Sequence, residues 1–205
     1  MQLTLEQKYV TYYPPKSQLL KWVGNKQKFA VEITRYFPTD IKRYIEPFLG
    51  SGAILATVAP MNGLGSDTFK PLIEIWQKLA TDPKGLLEWY AERRNRIGKE
   101  TKEEVYQSVL AAYNKNPNGA DFVFLTRSCY GGIVRFRKAD GYMSTPCGVH
   151  VPIPVESFAA RIKDWKSRLK NVSFEHLDYK EAFAQAKKGD LIYCDPPYSH
   201  SQGIL

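Results

Sequence analysis

The stretch RYIEPFLGSGA, residues 43–53, decides the reading of this chain. A short apolar run ends at Glu46 and Pro47, and Gly50 and Gly52 then follow two apart. AILATVA (53–59) resumes as the opening of a helix. Strand, glycine turn and helix form the starting unit of a doubly wound α/β sheet. Ligands of such sheets sit beyond the carboxyl ends of the strands, where glycines let the backbone turn tightly beneath them. The dinucleotide pattern G-x-G-x-x-G is not met, because Leu55 occupies the third glycine's place.

Working outward, GLGSDTF (63–69) reads as a second strand ending in acid at Asp67, 15 residues beyond Gly52. A carboxylate there suits ribose hydroxyls or an amino group, and equally the N-terminus of the helix that follows. Upstream, SQLLKWVGNKQKFAVEITRYF (17–37) reads as a helix capped by Ser17 and interrupted near its start by Gly24-Asn25. Trp22 and Lys26, four apart, would share one face of it. Downstream, KPLIEIWQKLATDPKGLLEWYAERRNR and KEEVYQSVLAAYNK carry apolar residues at helical spacing. Residues 120–148 open apolar, pass Gly131-Gly132 and continue as IVRFRKADGYM, where alternation and Asp140-Gly141 predict a hairpin. A helix (157–170), a strand ending at Asp178, a helix and a last strand, GDLIYCDPPY (189–198), complete the order. The fold class is therefore α/β, with a mostly parallel, doubly wound sheet and an inserted helical and hairpin module.

The chain has 205 residues, a net charge of +8 and a pI near 9.3, which suits a polyanionic partner. It contains no apolar window of 18 residues and no basic-then-apolar leader, so no membrane partner is expected and the cytoplasm is the expected location. Cys129, Cys147 and Cys194 show neither CxxC nor Cys/His spacing, and the histidines are scattered, so no disulfide and no metal site are expected.

The last strand ends in Asp195-Pro196-Pro197-Tyr198. Two prolines fix φ and stiffen the support. The four residues together offer a carboxylate, fixed carbonyl acceptors and an aromatic face in one place. An exocyclic amino group on a flat heterocycle needs two acceptors for its N–H bonds and a plate to stack on, the latter worth about 1–3 kcal/mol.

Taken together, KWVGNK (21–26), EPFLGSGA (46–53), Ser66-Asp67, FLTRSCYGGIVRFR (124–137) and GDLIYCDPPY (189–198) resemble the Dam-type, D12-class, α-group DNA adenine-N6 methyltransferases. The resemblance covers residues 16–198. It implies a sheet that binds S-adenosylmethionine, a catalytic part at 1–74 and 166–205, and a target-recognition module at 75–165. It further implies cofactor contacts from Trp22, Lys26, Phe48, Gly50, Gly52, Asp67, Asp178 and Asp195. Asp195, Pro196 and Tyr198 would be catalytic: the first two accept the N6 hydrogens of an adenine flipped out of double-stranded DNA, and Tyr198 stacks on it. Arg127, Tyr130, Arg135, Arg137 and Lys138 would contact DNA, Arg135 as the base reader and Tyr130 as a wedge. No metal is required.

The chain departs from the family's pattern at Gly131-Gly132, where Asn-Gly is common among GATC-specific members, and at Phe69 and Cys147. Asp-Pro-Pro-Tyr favours adenine over the alternatives, a cytosine-N4 or RNA-base methyltransferase. In the family further strands follow this motif, so its strand would keep an open edge here, the mark of a C-terminally truncated chain or DNA-binding remnant. That edge could pair with a second chain or the missing part. A restriction-modification role is the expected setting.

Overall fold

The computed structural model describes residues 11–197. Four strands, β1 (Arg43–Glu46), β2 (Gly63–Asp67), β3 (Val172–His176) and β4 (Asp190–Ile192), form one parallel sheet in the order β3-β2-β1-β4. The helices are α1 (Ala30–Thr34), α2 (Ala53–Val58), α3 (Lys70–Thr81), α4 (Pro83–Arg94), α5 (Lys102–Lys115), α6 (Gly119–Ser128), α7 (Val155–Arg168) and α8 (Tyr179–Ala184). The expected α/β class and parallel sheet are found.

Parallel strands are covered on both faces, so they read as apolar runs rather than alternating ones. In β1, Tyr44, Ile45 and Glu46 are all buried. In β2 glycine serves close packing: a Cβ on Gly65 would lie 3.0 Å from Leu49 and 3.1 Å from Leu55. Trp76 of α3 is buried between Trp165 of α7 (centroids 5.4 Å apart) and Phe174 of β3 (5.8 Å). One apolar cluster holds side chains on both sides of residues 75 and 165, including Leu55, Tyr90, Phe122 and Phe174.

Chain order places the site. From β1 the chain moves outward to β2 and β3, then returns across to β4 on the other side of β1. The order therefore reverses between β1 and β4, and a crevice opens at their carboxyl ends. Both EPFLGSG and Asp-Pro-Pro begin there. Among the described residues β4 is paired with β1 alone.

Two expectations change. Residues 17–26 are not helical; a 3-10 turn at Gln27–Phe29 precedes α1. Gly24 takes φ 75°, which breaks the helix, and the preceding carbonyls are claimed by side chains from afar. Arg127 Nη1 donates to Leu19 O (2.7 Å), Arg161 Nη1 to Gln18 O (2.7 Å) and Trp165 Nε1 to Ser17 O (2.8 Å). The hairpin is reduced to one bridge, Phe136 to Met143, around a turn in which Gly141 has φ 67°. Arg137 N–H donates to Tyr142 O (2.9 Å) and Gly141 N–H to Arg137 O (2.9 Å).

Candidate active site

The glycine turn after β1 is fastened from three sides. Gly50 (φ 47°) donates its N–H to Asp67 Oδ2 (3.1 Å), and its carbonyl accepts from Trp76 Nε1 (3.2 Å). Trp22 lies against it so closely that a Cβ on Gly50 would be 2.9 Å from the indole ring. Gly52 (φ 61°) closes the turn with its N–H on Leu49 O (2.8 Å).

Asp67 ends β2 and also accepts from Phe69 N–H (3.0 Å). It thus braces the glycine turn and the entry to α3 together. The helix-starting residue is Phe69, which makes no side-chain cap. Burial raises the Asp67 carboxyl above its ordinary pKa, while the N–H groups of Gly50, Phe69 and Thr68 oppose the shift.

On the other side of the crevice, Tyr193 N–H donates to Ile45 O (2.9 Å), which carries the β4 direction on to Asp195. Asp195 Oδ2 is 2.5 Å from Lys26 Nζ. Lys26 also donates to Gly24 O (3.2 Å), so the left-handed turn that ends any helix here aims the ammonium at Asp195.

These groups line one cavity of about 420 Å³, within the usual size for small-molecule sites. Its wall includes Trp22, Lys26, Glu46, Phe48, Gly50, Asp67, Asp195 and Pro196. Asp67 and Asp195 face the cavity as acids, Asp195 paired with Lys26, while buried Glu46 keeps its proton at neutral pH; Trp22 and Phe48 supply apolar faces.

Residues 22–204 match the family model described as D12 class N6 adenine-specific DNA methyltransferase. The chain belongs to that family. It is 26% identical over 189 residues to a DNA adenine methylase of Vibrio cholerae, covering 88% of this chain and 64% of that protein. It is 28% identical over 189 residues to the retron Ec67 DNA adenine methylase of Escherichia coli, with 89% and 64% coverage. A Type II methyltransferase, M.MjaIII of Methanocaldococcus jannaschii, is 29% identical over 198 residues, with 87% and 68% coverage. The chain thus spans about two thirds of the length of these family members.

The cavity of this D12-class chain gathers Trp22, Lys26, Phe48, Gly50, Asp67, Asp195 and Pro196 from four separate segments. Gly52 supports the turn from behind, where a Cβ would meet Trp76 at 3.2 Å. Trp22 and Lys26 meet there through a turn rather than along a helix face. Tyr198, expected to stack on the target base, lies outside the described residues.

Two expected site residues have structural partners of their own. Asp178 is not in the cavity wall; it caps α8, accepting from Lys180 N–H (2.9 Å) in a capping box with Glu181. Its neighbour Tyr179 stacks on Phe48 instead (5.6 Å, 25°). Arg127 does not face outward. It holds the Gln18 and Leu19 carbonyls, lies 5.6 Å over the Phe158 ring, and has its pKa pulled down to about 10 by burial and by Arg161. Tyr130, Arg135, Arg137 and Lys138 are exposed, with Arg137 paired to Asp140 (2.6 Å) and stacked on Tyr142 (4.1 Å).

Sequence reasoning missed Glu46, Val134, Phe136 and Tyr193 as wall residues. Glu46 carried a signal, an acid closing an apolar strand. It is 3% exposed, accepts from Tyr44 Oη (2.9 Å), and burial pushes its pKa up to about 8, with Asp195 adding to the rise.

Proposed function

We propose that this chain carries the methyl-transfer site of a DNA adenine-N6 methyltransferase that uses S-adenosylmethionine. The observation that supports this most is the convergence of the Gly50–Gly52 turn, Asp67 and Asp195-Pro196 on one cavity at the sheet's switch point. S-adenosylmethionine would supply a methyl group on a sulfonium centre. The acids Asp67 and Asp195 and the aromatic faces of Trp22 and Phe48 suit such a cationic nucleoside.

In this reading the chain's own work is positional and electrostatic. Asp195 and the Pro196 carbonyl accept the two hydrogens of an adenine amino group, which turns the nitrogen lone pair out of the ring and toward the cavity. Lys26 holds Asp195 in orientation from the side. Tyr198 stacks on the adenine, which leaves the duplex because its amino group is otherwise paired. Residues 75–165 form the target-recognition module, with Arg135, Arg137, Lys138 and Tyr130 meeting duplex DNA. Likeness to a Type II methyltransferase supports a restriction-modification setting.

The test is nucleoside mass spectrometry of mixed-sequence duplex DNA incubated with the protein and isotopically labelled S-adenosylmethionine. Label is expected in N6-methyladenine, with at least a hundredfold loss in Asp195→Asn, a scale ordinary for a removed transition-state contact. Equal transfer by the variant, or label on cytosine N4, overturns the reading.

A further inference from the structure

Cysteine spacing in the sequence predicts no disulfide, yet the fold sets two of the three thiols opposite each other. Cys129 closes α6, and Cys147 faces it in an isolated antiparallel bridge. The bridge is held by its neighbours: Tyr130 N–H donates to Pro146 O (2.8 Å), and Gly148 N–H donates to Ser128 O (2.7 Å). The backbone groups of Cys129 itself point elsewhere. Its N–H donates to Leu125 O (2.9 Å), and its carbonyl accepts from Gly132 N–H (3.1 Å). This is the narrow, non-hydrogen-bonded kind of antiparallel pair, whose opposed Cα atoms stand about 4.5 Å apart with both side chains on one face. A disulfide needs a Cα separation of about 4.4–6.8 Å. The two segments approach so closely that a Cβ on Gly148 would lie 2.7 Å from Cys129 O and 2.9 Å from Ser128 O.

Both sides of the bridge are anchored. Cys129 follows directly from α6, and the opposite segment is tied to α5 by Tyr106 Oη on Thr145 O (2.7 Å) and Lys102 Nζ on Val149 O (2.8 Å). The thiols have long carbonyl contacts that a rotation about χ1 gives up: Cys129 Sγ to Thr126 O at 3.8 Å and Cys147 Sγ to Gly148 O at 3.7 Å. Cys129 is 5% exposed, whereas Cys147 is half-buried and so meets solvent first. Between them the chain runs out as a ribbon, residues 133–137, and returns through the turn at Gly141. The exposed Tyr130, Arg135, Arg137 and Lys138 all lie on that excursion.

We propose that Cys129 and Cys147 are a thiol–disulfide pair that closes under a disulfide oxidant such as oxidised glutathione and staples the two ends of the basic excursion. The step is an exchange. The Cys147 thiolate attacks the glutathione disulfide, whose S–S bond breaks, and one glutathione leaves as a thiolate and takes up the proton that Cys147 lost. Cys129, deprotonated in turn, attacks the Cys147 sulfur; the protein S–S bond forms and the second glutathione leaves as a thiol. Two cysteine thiols are oxidised, and one glutathione disulfide is reduced to two thiols. Burial raises both cysteines to a pKa of about 11, with Glu103 adding to the rise at Cys147. The thiolate is therefore scarce at neutral pH, and closure is slow rather than prevented. The pair stands on the chain's own geometry and is independent of what the cavity binds.

In the experiment the full chain is incubated with oxidised glutathione at about pH 8.5. Remaining thiols are blocked with N-ethylmaleimide in mild acid, and tryptic peptides are mapped by mass spectrometry without reduction. The peptides of residues 128–135 and 139–161 are expected joined, at the sum of their masses less two hydrogens. Cys194, on residues 189–205, is the internal competitor. The ratio of the Cys129–Cys147 product to either pairing with Cys194 should be at least about tenfold greater than in urea, where loop length alone favours the nearer pair. The oxidised protein should also melt at least about 3 °C above the same sample after dithiothreitol, because the cross-link restricts the unfolded chain. An equal ratio in urea and in buffer overturns the proposal. So does Cys147 left as a free thiol or halted as a glutathione adduct. A lower melting midpoint on oxidation overturns it as well, since the fold would then have to distort to admit the bond.

Discussion

Glu46 shows how one residue's surroundings set its chemistry. It is buried at the end of β1 with Tyr44 Oη as its donor, and it titrates near pH 8 rather than at the usual carboxyl value. The folded state therefore keeps a proton that the unfolded chain releases between about pH 4.5 and 8. The stability tied to this group is fully present below the lower value and is lost as pH rises through the upper one. Asp67, also raised by burial, acts in the same direction. We expect the melting temperature to fall between pH 5 and pH 8.5, and Glu46→Gln, which cannot ionise, to fall visibly less. Calorimetric scans across that range decide it; parallel profiles for the two proteins would show that Glu46 is already ionised in the fold.

At the scale of elements, the ribbon and its turn depend on α5. Asn114 accepts from Met143 N–H (2.7 Å) and donates to Met143 O (3.1 Å), satisfying both backbone groups of a fully buried residue. No strand ladder does this work, because the hairpin has only one bridge among the described residues. Asn114→Ala would leave two buried backbone groups unpaired, at about 1–3 kcal/mol each. A chemical denaturation midpoint should register the loss, and duplex affinity should drop with it. A variant as stable and as tightly bound as the original would mean that the turn holds itself. α5 starts on a capping box between Thr101 and Glu104, which fixes the register that brings Tyr106 and Asn114 to the turn.

For the whole molecule, the net charge of +8 predicts a strong salt dependence of duplex binding. Arg135→Ala and Lys138→Ala should each shrink the slope of log affinity against log salt by about one, if each meets a phosphate. Arg127→Ala should leave the slope alone, because that guanidinium is spent on the Gln18 and Leu19 carbonyls. Filter binding at several salt concentrations separates the cases; a slope that follows Arg127 instead would reverse the assignment.

The same contrast explains what was legible in the sequence. Gly50, Asp67 and Asp195 stand just beyond strand ends, where local pattern and chain order dictate position, so the sequence placed them at the crevice and the resemblance supplied their expected roles. Arg127 and Arg135 lie eight residues apart in one basic stretch, yet one faces inward and the other solvent. Arg127 is turned inward by its place on α6 and by partners more than a hundred residues away, whereas Arg135 is held by Thr145 and Ser144 nearby. Asp178 has an acid's usual position after a strand, but its partner Glu181 lies three residues on and makes it a cap. The alternation in IVRFR sets Phe136 opposite the arginines, but its place in the cavity wall comes from the tertiary contact with Phe69.

The grip on residues 17–19 has a consequence for how the cavity comes into being. Trp165 reaches Ser17 across 148 residues of sequence, and Arg161 reaches Gln18 across 143. Contacts at such separations carry the largest loop-closure cost and form late. The segment bearing Trp22 and Lys26 is synthesised well before α7, yet two of the three side chains that grip residues 17–19 arrive with α7. The crevice wall is thus fastened late in synthesis, and a nascent chain halted before Arg161 would lack two of the three grips on residues 17–19.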